Sequence, residues 1–195
     1  MKMPTLTKIA STMLLAGASL LAHAESFSCA AGSASDCALA TSSLSWTWDG
    51  TYFTLSNSGA GDVSEIYFDL AAGMSASFFS GVGTVSFTSG AAPGSLPGGN
   101  SVGFTSDASF DSDTAGGGSA FGIDMGESAT FKITGAALDS FTGGSLAAAA
   151  HVRSLVDASA SVVTIAAPVP EPQTYALMLA GLGAVGFMAR RRQSA

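Results

Sequence analysis

Few residues in this chain could act as acids, bases or nucleophiles. His151 is the one histidine after residue 24, and the alternating pattern around it places it against a neighbouring strand or solvent. The run Gly99-Asn100-Ser101-Val102-Gly103 fits the GxSxG pattern of serine hydrolases. That nucleophile turn needs a strand before it and a helix after it, whereas here a Pro/Gly-rich stretch precedes and a strand-like run follows. The sequence therefore predicts no catalytic residue.

An acidic, glycine-rich stretch is the one candidate for metal binding. Asp107, Asp111 and Asp113 lie within seven residues, and carboxylate oxygens are the ligands that Ca²⁺ prefers. A calcium-binding EF-hand loop starting at Asp111 fails, because its fifth position is Ala115 and its twelfth is Gly122. Two interpretations remain: a looser surface calcium site, with Ca²⁺ as the cofactor, or a solvated acidic loop.

Aromatic side chains offer a possible platform for sugars. Trp46 and Trp48 share a strand face with Leu44, which predicts that both tryptophans lie in the core. Tyr52 and Tyr67 lie opposite the apolar positions of their strands. We therefore expect Tyr52 and Tyr67 to be exposed and to be the better candidates for glycan contact.

The charge distribution excludes one class of partner. Charged residues make up 11% of the chain, against roughly 25% in an average soluble protein. Residues 25–170 contain two basic residues, Lys132 and Arg153, and thirteen acidic ones, a net charge of −11. Such a region would be repelled by phosphate backbones, so no nucleic-acid partner is expected.

Residues 1–24 have the features of a secretory signal peptide. Lys2 and Lys8 are followed by an apolar run over residues 9–21, and Ala22-His23-Ala24 supplies small residues at a cleavage point before Glu25. The sequence thus predicts export through the Sec pathway and cleavage by signal peptidase.

A second apolar run covers residues 174–189 and is followed by Arg190, Arg191 and Arg192. The arginine cluster orients such a helix with its basic end in the cytoplasm. Sixteen helical residues span about 24 Å, which is short for a bilayer. We therefore expect a transmembrane helix that anchors the protein in the inner membrane only transiently.

Pro170, Glu171 and Pro172 stand just before this helix, and the three elements together resemble the PEP-CTERM sorting signal. The resemblance covers residues 168–195 and implies recognition by an exosortase, a membrane-embedded cysteine transpeptidase of Gram-negative bacteria that secrete exopolysaccharide. Pro170, Glu171 and Pro172 would be the recognition motif and the arginine cluster the stop. The resemblance implies a route to the cell surface and no particular activity.

The region between the two ends, residues 25–167, is expected to be one domain. Cys29 and Cys37 have seven residues between them, and after export a disulfide between them is the simplest interpretation. Helix is predicted only at the two ends, although residues 146–156 could form helix or strand. Alternating runs predict strands at 44–48, 51–57, 65–70, 75–79, 82–88, 101–105, 120–125, 127–134, 145–155 and 161–166.

These elements predict a mainly β protein: an antiparallel β-sandwich of the jelly-roll or Ig-like Greek-key kind, with an N-terminal signal helix and a C-terminal transmembrane helix. Residues 91–100 and 107–119 are expected to be loops. The function expected is that of an exported, exosortase-processed structural protein of the cell surface or an exopolysaccharide-rich biofilm matrix, without catalytic activity. The alternative is a carbohydrate-binding or calcium-dependent adhesion module.

Overall fold

Ten strands, one α-helix and one 3-10 helix make up the part of the chain that the structure describes. This computed structural model describes residues 26–112 and 120–165, and Gly181. The strands are β1 Ser26–Ala31, β2 Leu44–Trp48, β3 Tyr52–Asn57, β4 Asp62–Leu70, β5 Ser75–Val82, β6 Thr88–Ser89, β7 Ala108–Asp111, β8 Ser128–Thr134, β9 Leu146–Arg153 and β10 Ala160–Ile165. The helix α1 is Ala34–Ser43 and the 3-10 helix is Gly99–Val102.

The strands form two antiparallel sheets. One sheet has six strands in the order β1-β10-β9-β4-β7-β6, and the other has four in the order β2-β3-β8-β5. The predicted mainly β class is confirmed. The predicted signal helix lies outside the described residues, as does the predicted transmembrane helix apart from Gly181. Within the described residues no helix is long and apolar enough to cross a membrane.

Aromatic side chains from both sheets meet in one hydrophobic core. Phe53 of β3 contacts Phe68 of β4, with ring centroids 5.4 Å apart, and Phe131 of β8 contacts Phe110 of β7 at 5.0 Å. Edge-to-face and tilted pairs of this kind add to the free energy gained by burying their area. Trp46 and Trp48 are buried in the same core, as predicted.

The six-stranded sheet is buried on both faces at its centre. A second apolar cluster lies on the outer face, where Leu96 and Phe104 from residues 90–106 pack on Tyr67 and Ala149. The first seven residues of β4 are all buried as a result. A strand covered on both sides cannot show the inside-outside alternation that predicts an exposed face.

Three predicted strands are wrong. The run 101–105 lies instead at the 3-10 helix, which is flanked by Gly98 and Gly103 in left-handed conformations that break a strand. The run 120–125 forms only an isolated bridge between Val63 and Ile123. The run 82–88 is divided between the end of β5 and the short β6.

Helix α1 and strands β1 and β7 were not predicted. Ser33 caps the helix by accepting the Asp36 N–H at 3.2 Å. Asp36 is buried, and its carboxylate accepts the N–H groups of Asp157 and Ala158, each at 3.1 Å. The first turn of α1 therefore fixes the loop between β9 and β10.

A disulfide joins Cys29 of β1 to Cys37 of α1, as the sequence predicts. β1 is an edge strand whose partner is β10. The bond therefore fastens the helix to the edge of the six-stranded sheet and restricts the first residues of the folded domain.

Replacing both cysteines, in Cys29→Ser/Cys37→Ser, should lower the free energy of unfolding by about 2–3 kcal/mol, because the loop between them becomes free in the unfolded chain. Urea unfolding of wild-type and variant protein measures the loss. Wild-type protein in reductant should match the variant. An unchanged midpoint in both cases would contradict a stabilising role for the bond.

Candidate functional sites

A row of polar side chains crosses the outer face of the six-stranded sheet. Register pairs place them side by side on five strands: Thr88 on β6, Asp111 on β7, Glu65 on β4, His151 on β9 and Ser161 on β10. We call these five residues the polar row. They include the single histidine of the described region and its most deeply buried carboxylate.

Glu65 is fully buried at the centre of the polar row. The Arg153 guanidinium binds its Oε1, and the Ser64 hydroxyl donates to Oε2 at 2.8 Å. Burial raises the pKa of the Glu65 carboxyl, while the Ser64 hydrogen bond and the Arg153 charge oppose that rise. Arg153 thus offsets the cost of burying this carboxylate, which is a structural role.

His151 meets a partner on the next strand, as its position predicts. Its Nδ1 lies 3.0 Å from Ser161 Oγ. Burial lowers the pKa of the His151 imidazole, and the nearby Arg153 charge lowers it further. The ring is therefore neutral near pH 7 and is held in a cross-strand hydrogen bond.

The expectation that Tyr67 is exposed is wrong. Tyr67 is fully buried in the outer cluster, and its hydroxyl donates to the Pro93 carbonyl at 2.9 Å. Burial raises the pKa of this phenol, and the Glu65 carboxylate reinforces the effect. The covering of the outer face by residues 90–106 removes Tyr67 from any glycan-binding surface.

Ser101 of the GxSxG run lies in the 3-10 helix of that covering segment. Its hydroxyl donates to the Gly98 carbonyl at 2.6 Å. The strand expected over 101–105 is replaced there by the 3-10 helix Gly99–Val102, and no strand ends at the motif to form the strand-turn-helix arrangement of a hydrolase nucleophile.

The two described aspartates of the predicted calcium site lie apart. Asp107 precedes β7 and Asp111 ends it, so the two lie at opposite ends of a strand whose terminal Cα atoms are about 10 Å apart. The Asp107 carboxylate accepts the Leu70 N–H at 2.9 Å. Asp113 lies outside the described residues, among which no group of three acidic, histidine or cysteine side chains is placed to hold a metal ion.

An open depression of about 600 Å³ lies beside the start of β4. Its lining includes Asp62, Asp124, Met125 and small residues of the loop before β4. Asp62 is buried, and Gly122 packs so closely on its carboxylate that any side chain at position 122 would collide with it. The lining has no histidine, cysteine or lysine to complete an acid-base pair.

The outer side of the four-stranded sheet is rich in hydroxyl groups. We call it the hydroxyl face. On the strands of this sheet every second side chain, including Phe53, Leu55 and Phe131, is buried in the core. The side chains between them therefore point outward. Ten of these positions are serine or threonine: Ser45, Thr47, Thr54, Ser56, Ser75, Ser77, Ser80, Ser128, Thr130 and Thr134.

An aromatic pair and a lysine lie on the hydroxyl face. Tyr52 of β3 is half-buried, and its ring centroid lies 4.8 Å from that of Phe79, which is 58% exposed. Lys132 of β8 is the direct cross-strand neighbour of Tyr52 and is exposed. Tyr52 is thus partly accessible, as expected, and it has an aromatic partner that the sequence interpretation did not assign to it.

Because the pKa of His151 is lowered in the folded protein, protonation of this histidine should destabilise the fold. The contribution of His151 to the free energy of unfolding is fully present above pH 6.5, the pKa in the unfolded chain. It is lost as the pH falls from 6.5 through the lower pKa of the folded state. Compared with His151→Gln, which can still bond Ser161, wild-type protein should lose additional unfolding free energy between pH 7 and pH 5. Urea unfolding across this range tests it, and a constant difference between the two proteins would contradict it.

Arg153→Met should lower the free energy of unfolding by about 3 kcal/mol at pH 7, because it leaves the buried Glu65 carboxylate without its cation. The matched control is Lys132→Met, which removes an exposed cation and should cost less than about 0.5 kcal/mol. Adding Glu65→Gln to Arg153→Met should recover much of the loss. Equal effects of the two single variants, measured by urea unfolding, would contradict a structural ion pair.

The residues of the predicted sorting signal lie outside the described residues. These are Pro170, Glu171, Pro172, Arg190, Arg191 and Arg192. Gly181, within the predicted membrane helix, is described as an exposed residue in helical conformation.

Comparison with known proteins identifies that segment. No curated protein and no solved structure matches the chain. A protein-family model described as the PEP-CTERM protein-sorting motif matches residues 168–192. The motif implies processing by an exosortase and export to the cell surface or beyond. The chain is thus a PEP-CTERM sorting domain-containing protein.

Proposed function

We propose that this protein is a structural component of the cell surface or of an exopolysaccharide-rich extracellular matrix, without catalytic activity. The sorting motif at residues 168–192 carries the proposal, because it directs the protein to that destination. In this account the signal peptide at 1–24 starts export through Sec, and the helix at 174–189 anchors the chain in the inner membrane of a Gram-negative bacterium until an exosortase cleaves it.

The described domain supports a structural role through the way its polar groups are used. His151 is bonded to Ser161, and Glu65 is held by Arg153. The Cys29–Cys37 disulfide is consistent with an oxidising compartment outside the cytoplasm. An extracellular hydrolase would instead lose activity in His151→Ala.

We also propose that the two sheets form an antiparallel β-sandwich of the jelly-roll or Ig-like kind. The contacts of Phe53 with Phe68 and of Phe131 with Phe110 support it, because each joins a strand of one sheet to a strand of the other. A two-layer arrangement leaves one sheet face free for contact with the surroundings.

The second candidate function is a carbohydrate-binding module. The pair of the half-buried Tyr52 and the exposed Phe79 favours it, because aromatic rings on a sheet surface bury apolar area against a partner at a low cost in side-chain entropy. A calcium-dependent form of adhesion would require Asp113 together with Asp107 or Asp111, and it predicts that EDTA abolishes binding.

The sorting step can be tested with Pro170→Ala/Pro172→Ala in the native host. Two prolines keep the segment extended, so their loss should prevent recognition. The variant should stay in the inner-membrane fraction, while wild-type protein is found at the surface or in the medium. Fractionation followed by immunoblotting measures the distribution.

Pro168→Ala is the matched control, because it removes a neighbouring proline and keeps Pro-Glu-Pro. It should be distributed like the wild type. Normal release of the Pro170→Ala/Pro172→Ala variant would contradict the proposed route.

A further inference from the structure

We infer that the hydroxyl face is a binding surface for a polysaccharide whose sugars carry carboxylates. In this arrangement a sugar ring lies on the Tyr52–Phe79 pair and its carboxylate meets the Lys132 ammonium. The inference rests on the proposed function, because it requires the protein to reach an extracellular polymer.

Charge selects this face among the surfaces of the domain. The four strands that form it, β2, β3, β5 and β8, contain no aspartate or glutamate. Among the described residues the basic side chains are Lys132 and Arg153, and Arg153 is committed to Glu65. Lys132 is therefore the one charged side chain on these four strands, in a region of net charge −11, and the carboxylate of Asp49 in the β2–β3 turn is bound to the Tyr52 N–H at 2.7 Å at the edge of the face. An anionic polymer meets attraction here and repulsion from most of the remaining surface.

The exposure of Phe79 follows from an irregularity in β5. The register between β5 and β8 shifts between Phe78 and Ser80, so that Phe79 has no cross-strand partner. Such a bulge re-aims a side chain. Phe78 stays in contact with the core ring of Phe131, whereas Phe79 reaches Tyr52 on the far side of β8. A large aromatic side chain is thereby exposed on a face that is rich in hydroxyl groups and also carries the exposed Val82 at its end.

Aromatic and cationic groups are adjacent in a geometry that suits an acidic sugar. Tyr52 and Lys132 are directly opposed on neighbouring strands, whose spacing is about 4.8 Å. A sugar stacked on the tyrosine can therefore present a ring carboxylate to the ammonium group. A charge-assisted hydrogen bond of this kind is stronger than one between neutral groups.

The surrounding hydroxyls can serve further sugars of the chain. Serine and threonine both donate and accept hydrogen bonds, which matches the hydroxyl groups of a polysaccharide. Thr54 and Thr130 are bonded to each other at 3.0 Å, as are Ser75 and Thr134 at 2.6 Å. These pairs order the hydroxyls in advance and leave their second hydrogen-bonding positions available.

Binding of mature protein from the host to polygalacturonate, measured by affinity electrophoresis, tests the inference. Highly methyl-esterified polygalacturonate is the matched ligand, because it keeps the sugar chain and removes the charge. Wild-type protein should bind the acidic form at least about tenfold more tightly, and added salt should weaken that binding. Lys132→Gln should lose about tenfold, Lys132→Arg should retain binding, and Phe79→Ser should lose about fivefold.

The matched control for Phe79→Ser is Val156→Ser, which removes an apolar side chain that is 75% exposed outside the four-stranded sheet. It should leave binding unchanged. Equal binding of the two ligands, or undiminished binding by both Lys132→Gln and Phe79→Ser, would overturn the inference. So would no binding by wild-type protein that is correctly released from the membrane, and that result would leave the proposed sorting intact.

Discussion

The packing of aromatic rings between the two sheets is the interaction on which the rest of the domain depends. Phe131 of β8 lies at its centre. It contacts Phe68 and Phe110 of the six-stranded sheet, and Phe78 of the adjacent strand β5. A shift of β8 by one residue would turn Phe131 outward and Lys132 into the core, a change that the buried apolar surface cannot tolerate. The core therefore fixes which side chains form the hydroxyl face.

The two sheets use their outer faces differently. In the six-stranded sheet, residues 90–106 cover the centre, where the Tyr67 hydroxyl donates to Pro93 and Glu65 binds Arg153. The four-stranded sheet has a polar outer face that includes the exposed Lys132 and Phe79. In the proposed sandwich, the covered sheet contributes stability and the hydroxyl face remains open to the surroundings.

The strands could be predicted from the sequence where one face of the strand is buried in the core and the other is exposed to solvent. The run 44–48 and the run 127–134 alternate cleanly because one side of each is solvated, and both are strands. The burial of Tyr67 could not be predicted, because residues 90–106, which cover it, are far from it in the sequence. Helix α1 lacks an apolar stripe, yet Ser33 followed three residues later by Asp36 was a capping signal that could have indicated its start. Phe79 depended on a bulge, which alternation does not reveal.

The sorting motif implies export to the cell surface or beyond, and the proposed role there rests on the polar and aromatic groups of the domain. An acidic, disulfide-bonded domain with one hydroxyl-rich face fits the proposed role in a hydrated polymer matrix. The intact mass of the protein recovered from the outside of its own host tests this account most directly. The account predicts a mass that lacks residues 1–24 and also Arg190, Arg191 and Arg192. A mass that still includes the three arginines, on protein found only in the inner membrane, would contradict it.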